Sequence, residues 1–524
     1  MITKSIPFIL ASFIFCSDIS AQEKDYSREY ASEITVESAT KHLTILSSDE
    51  FGGRDTGKPS GHKAAAYLAE EFKKLGLTAP VNGGYLQEVP LVEYVFETQD
   101  FSINGSKIEM GDGFYMTGSG DEKKIQSNNI VFIGYGISSP NYDDLKGVDI
   151  DGKIVLLINE GEPVAPSGKS YITQTDSLSD WTSSRNKRIQ EVLAKNPALV
   201  LAASTQVDSM LARYGQYFSR PRVALKEDYN TTQNAPAIAH VNFAIANRLL
   251  ANSGTTIEEL QKRIAESGHP ASQNINAEFS TSYGTKVEDL NASNILGYLE
   301  GSDLKEELVV ISAHYDHVGI DPSGDVFNGA DDDGSGTTGV LEIAKAFVSS
   351  KKDGHGPRRS ILFLLVTGEE KGLLGSDYYT RHPIFPLENT VTNLNIDMIG
   401  RIDPAHKSDP NYVYLIGSDK LSSTLHKVSE EANQKYTQMN LDYKYNDPND
   451  PERIYYRSDH YNFAKNEIPV IFYFNGVHED YHKVSDTVDK INFEMLVKRA
   501  KLVFHTAWEV LNLDERPIVD SHKK

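Results

Sequence analysis

Cysteine is all but missing: the 524 residues hold one, Cys16. An internal disulfide framework and a thiolate-ligated metal are thereby excluded. Positive charge is short as well, with 52 Lys and Arg against 74 Asp and Glu and a formal net charge of -22. That balance argues against nucleic acid and anionic membrane surfaces as partners, and no block of like charge is long enough to act as an interaction tail. Long apolar runs are lacking too. Ser5 to Ser17 follows Lys4 and is too short to cross a membrane. Ile19-Ser-Ala21 and the polar Gln22-Glu-Lys-Asp25 come next, the pattern of a signal peptide cleaved after Ala21. Residues 1–21 are therefore expected to lie outside the fold, and the protein to be exported, either periplasmic or secreted. Bulky Phe15 before Cys16 argues against lipid anchoring, so the mature chain would hold no thiol. No later segment is long and apolar enough to span a membrane.

A chain of this length predicts two or three domains. Ser60 to Leu75 reads as an amphipathic helix, with Ala64, Leu68, Phe72 and Leu75 on one face, Ser60 as cap and Gly76 as stop. Near Asp100 the texture changes. A hairpin is expected around Asn104-Gly105, then strands at Asn129–Ile133, Lys153–Ile158 and Ala198–Ala202, and a polar loop at Asn230–Pro236. From Asn291 apolar strands alternate with helices: strands at Glu307–Ala313, Ser360–Val366, Asn393–Asp397 and Pro469–Phe474, a helix at Thr337–Ser349. This alternation predicts an α/β fold with a mostly parallel central sheet covered by helices. The simplest division is a catalytic domain in two parts, 22–99 and 286–524, with an α/β module, 100–285, inserted between them.

Five segments supply chemistry. They are Ser312-Ala-His-Tyr-Asp-His-Val-Gly319, Gly329-Ala-Asp-Asp-Asp-Gly-Ser-Gly336, Thr367-Gly-Glu-Glu370, Asn395-Ile-Asp397 and Asp480-Tyr-His482. Parallel strands would bring them to one edge of the sheet, where sites form in open α/β folds. Two imidazoles and at least three carboxylates can hold two metal ions about 3.5–4 Å apart. Without thiolate, that donor set suits zinc, with manganese or cobalt as alternatives. In the Glu369-Glu370 pair, one carboxylate can bind metal while the other stays free as a general base. Asp316, two residues beyond His314, can accept the second imidazole N–H of that histidine. Asp331 to Asp333 also fits an acidic loop or a loose calcium loop. His317, His382, His460 and His478 read as ordinary core or surface histidines.

The same segments resemble the co-catalytic zinc aminopeptidases, a family that also includes glutamate carboxypeptidase, glutaminyl cyclase and the transferrin receptor. The matching pieces are Ala-His-Tyr-Asp-His, Gly-Ala-Asp-Asp-Asp-Gly-Ser-Gly, Thr-Gly-Glu-Glu-Lys-Gly-Leu-Leu-Gly-Ser, Asn-Ile-Asp-Met-Ile-Gly and Asp-Tyr-His followed by Ser485-Asp-Thr487. The resemblance implies a three-layer αβα zinc-exopeptidase domain and two Zn2+ ions. It implies that Asp332 bridges the metals, that His314 and Asp397 complete one site, and that Glu370 and His482 complete the other. Glu369 would be the general acid/base, with Asp316 supporting His314 and Asp486 supporting His482. Ser47-Ser-Asp-Glu-Phe-Gly-Gly-Arg54 resembles the opening of bacterial members. Gly134-Tyr-Gly136 through Lys153–Leu157 resembles an inserted protease-associated domain.

These readings converge on an exported di-zinc exopeptidase that removes N-terminal residues from a peptide substrate. The alternatives are a carboxypeptidase of the glutamate carboxypeptidase type, for which Arg453, Arg457 and Lys465 would offer a basic pocket, and a non-catalytic metal-bearing binding protein. The tyrosine-dense stretch Tyr443 to Tyr461 would either line a side-chain pocket or simply pack.

Overall fold

The computed structural model describes residues 24–229 and 235–522. The expected signal peptide, 1–21, and most of the expected loop at Asn230–Pro236 lie outside the described residues.

Four strands form a parallel centre: Leu304–His314, Arg359–Val366, Thr390–Ile396 and Val470–Phe474. Leu304–His314 pairs with Arg359–Val366 on one side and Thr390–Ile396 on the other, and Thr390–Ile396 pairs with Val470–Phe474. Antiparallel strands flank them, Gln273–Leu299 beside Arg359–Val366 and Tyr412–Ile416 beside Val470–Phe474. Every residue of Arg359–Val366 is buried, as expected of a parallel strand covered on both faces.

Side chains alternate between those faces. Val309, Ile311, Phe363, Leu365, Leu394 and Ile471 pack under the helices Val36–Leu46, Pro59–Leu75, Gly336–Lys352 and Phe493–Asn512. Leu308, Val310, Leu362, Leu364 and Val470 pack on the opposite side with Tyr379 and Phe463, from the helices Leu374–Arg381 and His460–Ala464. The result is the predicted α/β layering with a mostly parallel central sheet. The helix expected at 60–75 begins one residue earlier. Pro59 takes its first position and Gly76, at φ 87°, ends it. Ser60 does not cap it; its Oγ accepts the Asp55 N–H at 3.2 Å.

Two long strands leave this layer. Leu86–Ile103 and Gln273–Leu299 pair antiparallel from Leu86 opposite Ile295 to Ile103 opposite Phe279. Both expected boundaries, 99/100 and 285/286, fall inside this ribbon. At its far end Asn104 and Gly105, at φ 49° and 72°, make the expected turn. There Lys123–Phe132, Ile154–Ile158, Leu199–Ala203 and Ile238–Val241 pair in parallel. They carry a second core that includes Phe101, Phe132, Leu156, Leu201 and Leu249.

Candidate metal centre

Most of the predicted site residues sit where a strand ends or soon after it, while Asp332 lies in the loop that leads into the helix Gly336–Lys352. His314 is the last residue of Leu304–His314. Glu369 and Glu370 follow Arg359–Val366, and Asp397 follows Thr390–Ile396. His482 comes from the loop after Val470–Phe474. Because the four strands are parallel, their carboxyl ends share one edge.

The three aspartates of the triplet divide their work. Asp331 turns away: its Oδ1 accepts the Gly400 N–H at 2.6 Å, and its Oδ2 lies 3.2 Å from His478 Nε2. Asp333 Oδ1 accepts N–H bonds from Gly336 and Met398 at 2.8 and 3.0 Å, tying the helix start to the segment after Asp397. Asp332 alone points into the site. Its Oδ1 is 3.3 Å from His314 Nε2, and its Oδ2 is 3.0 Å from His482 Nε2. His314 Nε2 is also 3.6 Å from Asp397 Oδ1, and His482 Nε2 is 3.1 Å from Glu370 Oε2. Two groups with converging ligand atoms result, His314–Asp332–Asp397 and His317–Asp332–Glu370, with Asp332 common to both. The expected set, His314, Asp332, Glu370, Asp397 and His482, is therefore brought together, with Glu369 Oε2 3.9 Å from His314 Nε2.

The donor set passes a test of fit to metal. His314 Nε2, Asp332 Oδ2, His317 Nδ1 and Glu370 Oε1 are buried and have no hydrogen-bond partner among the described residues. Buried polar atoms left unpaired are costly. Here they face one another across two small gaps, as donors around cations do. All are imidazole nitrogens or carboxylate oxygens, the ligands of non-thiolate zinc sites.

The adjacent glutamates are pushed in opposite directions. Burial drives the Glu369 carboxyl well above the usual carboxylate range, and the charges of Asp397, Glu370 and Asp459 add to this. For Glu370, burial and the Asp332 charge oppose ionisation, yet His317 and His482 hold its carboxyl down at about 2. Burial opposes charge on His482, but Asp332 and Glu370 outweigh it and raise its pKa to about 10. A divalent cation bound by these carboxylates must displace that proton.

Some expectations need correction. The His314 Nδ1–H bond goes to the backbone carbonyl of Asp316 at 3.1 Å, while the nearer carboxylate oxygen is 3.7 Å away. That carboxylate instead accepts from Thr56 Oγ1 at 2.8 Å and from the Glu369 N–H at 3.2 Å. Asp486 supports Asp332, not His482: its Oδ2 accepts the N–H groups of Asp331 and Asp332 at 3.0 and 3.2 Å. The tyrosines of 443–461 largely pack on one another, Tyr455, Tyr456 and Tyr461 meeting edge to face. The cleft beside Asp332, Glu369 and Asp397 is walled by Met398, Ile454, Phe472, Phe474, Val477 and Tyr481, with Arg457 alongside. Of the other bases proposed for a pocket, Lys465 pairs with Asp377 at 2.6 Å and Arg453 lies over the Tyr456 ring.

Three residues contribute that were not expected in the site, and His317, read from sequence as an ordinary core or surface histidine, is the first to correct. His317 is fully buried in the site. Ser458 Oγ donates to Asp397 Oδ2 at 2.7 Å and accepts from Asn395 Nδ2 at 2.8 Å. Arg54, also buried, donates to the carbonyls of Tyr315, Leu46, Asn328 and Gly329 at 2.7–2.9 Å. It ties the loops that carry His314 and Asp332 to the N-terminal segment. The adjacent Gly53, at φ 63°, admits no side chain, since a Cβ there would fall 2.3 Å from the Gly319 carbonyl oxygen. Arg54→Lys keeps the charge but loses the planar fork of donors. At about 1–3 kcal/mol for each buried carbonyl left unpaired, it should cost at least ~3 kcal/mol in urea denaturation. A loss below ~1 kcal/mol would contradict the tethering role.

Residues 294–507 match peptidase family M28. A protein of Arthroderma benhamiae named "Probable leucine aminopeptidase" is 31% identical over 242 residues, which cover 43% of this chain and 61% of that one. Aminopeptidase YwaD of Bacillus subtilis is 28% identical over 234 residues, covering 43% and 46%. The chain thus spans less than two thirds of these relatives' lengths. Among solved structures, the aminopeptidase from Aneurinibacillus sp. strain AM-1 shares the fold at a TM-score of 0.52 and 17% identity, over 95% of this chain and 100% of that one. The matched residues 294–507 carry His314, Asp332, Glu369, Glu370, Asp397 and His482, so the likeness to peptidase family M28 includes the whole candidate metal centre.

Proposed function

We propose that this protein is an exported zinc metallo-exopeptidase that removes N-terminal residues from peptides. The observation that carries this reading is geometric: two groups of ligand atoms meet on Asp332, and Glu369 stands beside them, 3.9 Å from His314 Nε2, without belonging to either. A carboxylate beside the ligand atoms but outside them is placed as a general base, and a purely structural metal site has no use for one. The names of the relatives, aminopeptidases in each case, support the same substrate class.

His314, Asp332 and Asp397 would hold one zinc, and Asp332, Glu370 and His482 the other. When bound, the pair supplies Lewis acidity that polarises a peptide carbonyl and lowers the pKa of water. The chain's own residues do the rest. Glu369 takes a proton from the attacking water and passes it to the leaving amine, a role suited by its raised proton affinity. Asp316, accepting the Glu369 N–H, fixes the loop on which that base rides. Ser458, donating to Asp397, fixes a ligand. The walls Met398, Ile454, Phe472, Phe474 and Val477 shape the cleft for an apolar side chain. The segment 100–285 is read as a protease-associated-like domain that adjoins the catalytic part, and residues 1–21 as the export signal.

The test is mass spectrometry of a free peptide and its N-acetylated twin after incubation with zinc-loaded protein. Stepwise loss from the N-terminus of the free peptide alone is expected. Loss from the C-terminus of both would move the assignment to a carboxypeptidase. Arg457 beside the cleft is the one observation that favours that second reading.

A further inference from the structure

His317 stands out among the buried titratable groups outside the expected ligand set. Its side chain is fully buried. Its Nδ1 lies 2.8 Å from Glu370 Oε1 and 3.9 Å from Asp332 Oδ2. Even so, neither Nδ1 nor Nε2 has a hydrogen-bond partner among the described residues. At 2.8 Å, only direction can disqualify an N–H···O contact, so the ring nitrogen is not aimed at the carboxylate oxygen it approaches. His482 reaches the same two carboxylates from another side, at 3.0 and 3.1 Å, and the two imidazole rings are 5.8 Å apart at 68°. Ligand atoms arranged tetrahedrally on one zinc, each at ~2.0–2.1 Å, are separated by about 3.3 Å. The distances fall on either side of that value, with His317 approaching Glu370 Oε1 and His482 approaching its Oε2, so the two imidazoles flank the same carboxylate through different oxygens.

The ring is also held in place. The His317 N–H donates to the Arg54 carbonyl at 3.2 Å. On its other side the ring lies against Gly329, where an added Cβ would fall 2.5 Å from Cγ and Cδ2. An imidazole fixed this way, with an unpaired nitrogen among carboxylates, is built as a donor to a cation.

We propose that His317 Nδ1 is a fourth protein ligand of the metal held by Asp332, Glu370 and His482. This rests on the metal-site reading above and makes the two sites unequal. One has four protein donors, two nitrogens and two oxygens. The other, His314–Asp332–Asp397, has three and keeps an open position. Sites with four protein ligands are the closed kind and three-ligand sites are the ones that admit substrate or water. The closed site should therefore fill first. His317 Nε2 lacks the acceptor that strengthens a ligating imidazole, so its loss should weaken the site by about tenfold to thirtyfold rather than abolish it.

The experiment is a competition titration of the metal-free full chain with zinc against a chromophoric chelator, for wild type and His317→Gln. The expected result is two sites in wild type. In the variant, the tighter should be weakened at least tenfold and the other changed less than threefold. Because a variant can misfold, zinc-edge anomalous diffraction from zinc-soaked wild-type crystals provides a second measurement. A zinc peak about 2.0–2.1 Å from His317 Nδ1 supports the assignment. A peak beyond ~3 Å, or a His317→Gln protein that binds both zincs as tightly as wild type, overturns it while leaving the peptidase reading intact. If wild type binds no zinc, both are overturned.

Discussion

Glu369→Gln is expected to keep its full metal content and lose about 10³–10⁴-fold in kcat, the upper part of what general acid–base catalysis contributes. The substitution removes a single capacity. Gln is nearly the same size and can keep the backbone bond from the Glu369 N–H to Asp316 Oδ1, which does not involve the side chain. It cannot accept and return a proton. No short ion pair holds Glu369; its nearest approach to a site imidazole is 3.9 Å, to His314. Metal analysis of the dialysed variant should match wild type. KM should change little, because an interaction needed only in the transition state lowers kcat and kcat/KM together. Residual turnover within tenfold of wild type would remove Glu369 from the role of base. Lost metal alongside lost turnover would make it a ligand instead.

Asp332→Asn should act in the opposite way, losing metal and activity together. The carboxylate offers one oxygen to the His314 side and the other to the His482 side. Asparagine keeps one oxygen, so one site loses a donor outright and both lose the negative charge they share. An outer-sphere partner costs about 10–100-fold in affinity when lost; a shared inner ligand should exceed that at both sites. Zinc titration should show both dissociation constants raised by more than ~10²-fold. An effect confined to one site would mean that Asp332 does not bridge. The asparagine NH2 would also face His314 or His482 where an acceptor stood, so some loss of stability should accompany it.

The parallel strands were legible because each is an apolar run followed at once by chemistry. The five metal-site residues and Glu369 are named through the family resemblance; His314, Glu369, Glu370 and Asp397 also lie at or just past strand ends, whereas Asp332 and His482 lie farther on in loops. What could not be read depended on how the chain turns after the strand ends. His314 and His317 are three apart, so an extended chain would point them to opposite faces. Past His314 the backbone leaves the strand and forms a parallel bridge with Asp55 instead, which brings His317 round to Glu370. That bridge joins residues more than two hundred positions apart, and no local pattern announces it. Asp486 was paired with the wrong partner for a similar reason. Its proximity to His482 in sequence is real, yet its oxygen accepts the N–H groups of Asp331 and Asp332 across the site. Ser458 belongs to a polar stretch that looks like any loop, and only the fold shows that it reaches Asp397.

The paired strands Leu86–Ile103 and Gln273–Leu299 have a topological consequence. Outgoing and returning chains are hydrogen-bonded neighbours from Leu86 opposite Ile295 onward. Most of what lies beyond Ile103 is therefore the tip of one long hairpin, although Arg222–Leu225 folds back onto Leu91–Tyr94 and Glu227 and Asp228 meet Arg381. The size of that tip is nearly invisible to the strands that frame the site, since closing a longer loop costs only slowly rising entropy and the stem sets the spacing. Such a stem can accept a graft of almost any length at its end. The same stem carries Asn294, whose Oδ1 accepts the Thr367 N–H at 3.1 Å, two residues before Glu369. The tip can thus vary in bulk beyond those contacts, while the root of the hairpin stays locked to the loop that carries Glu369.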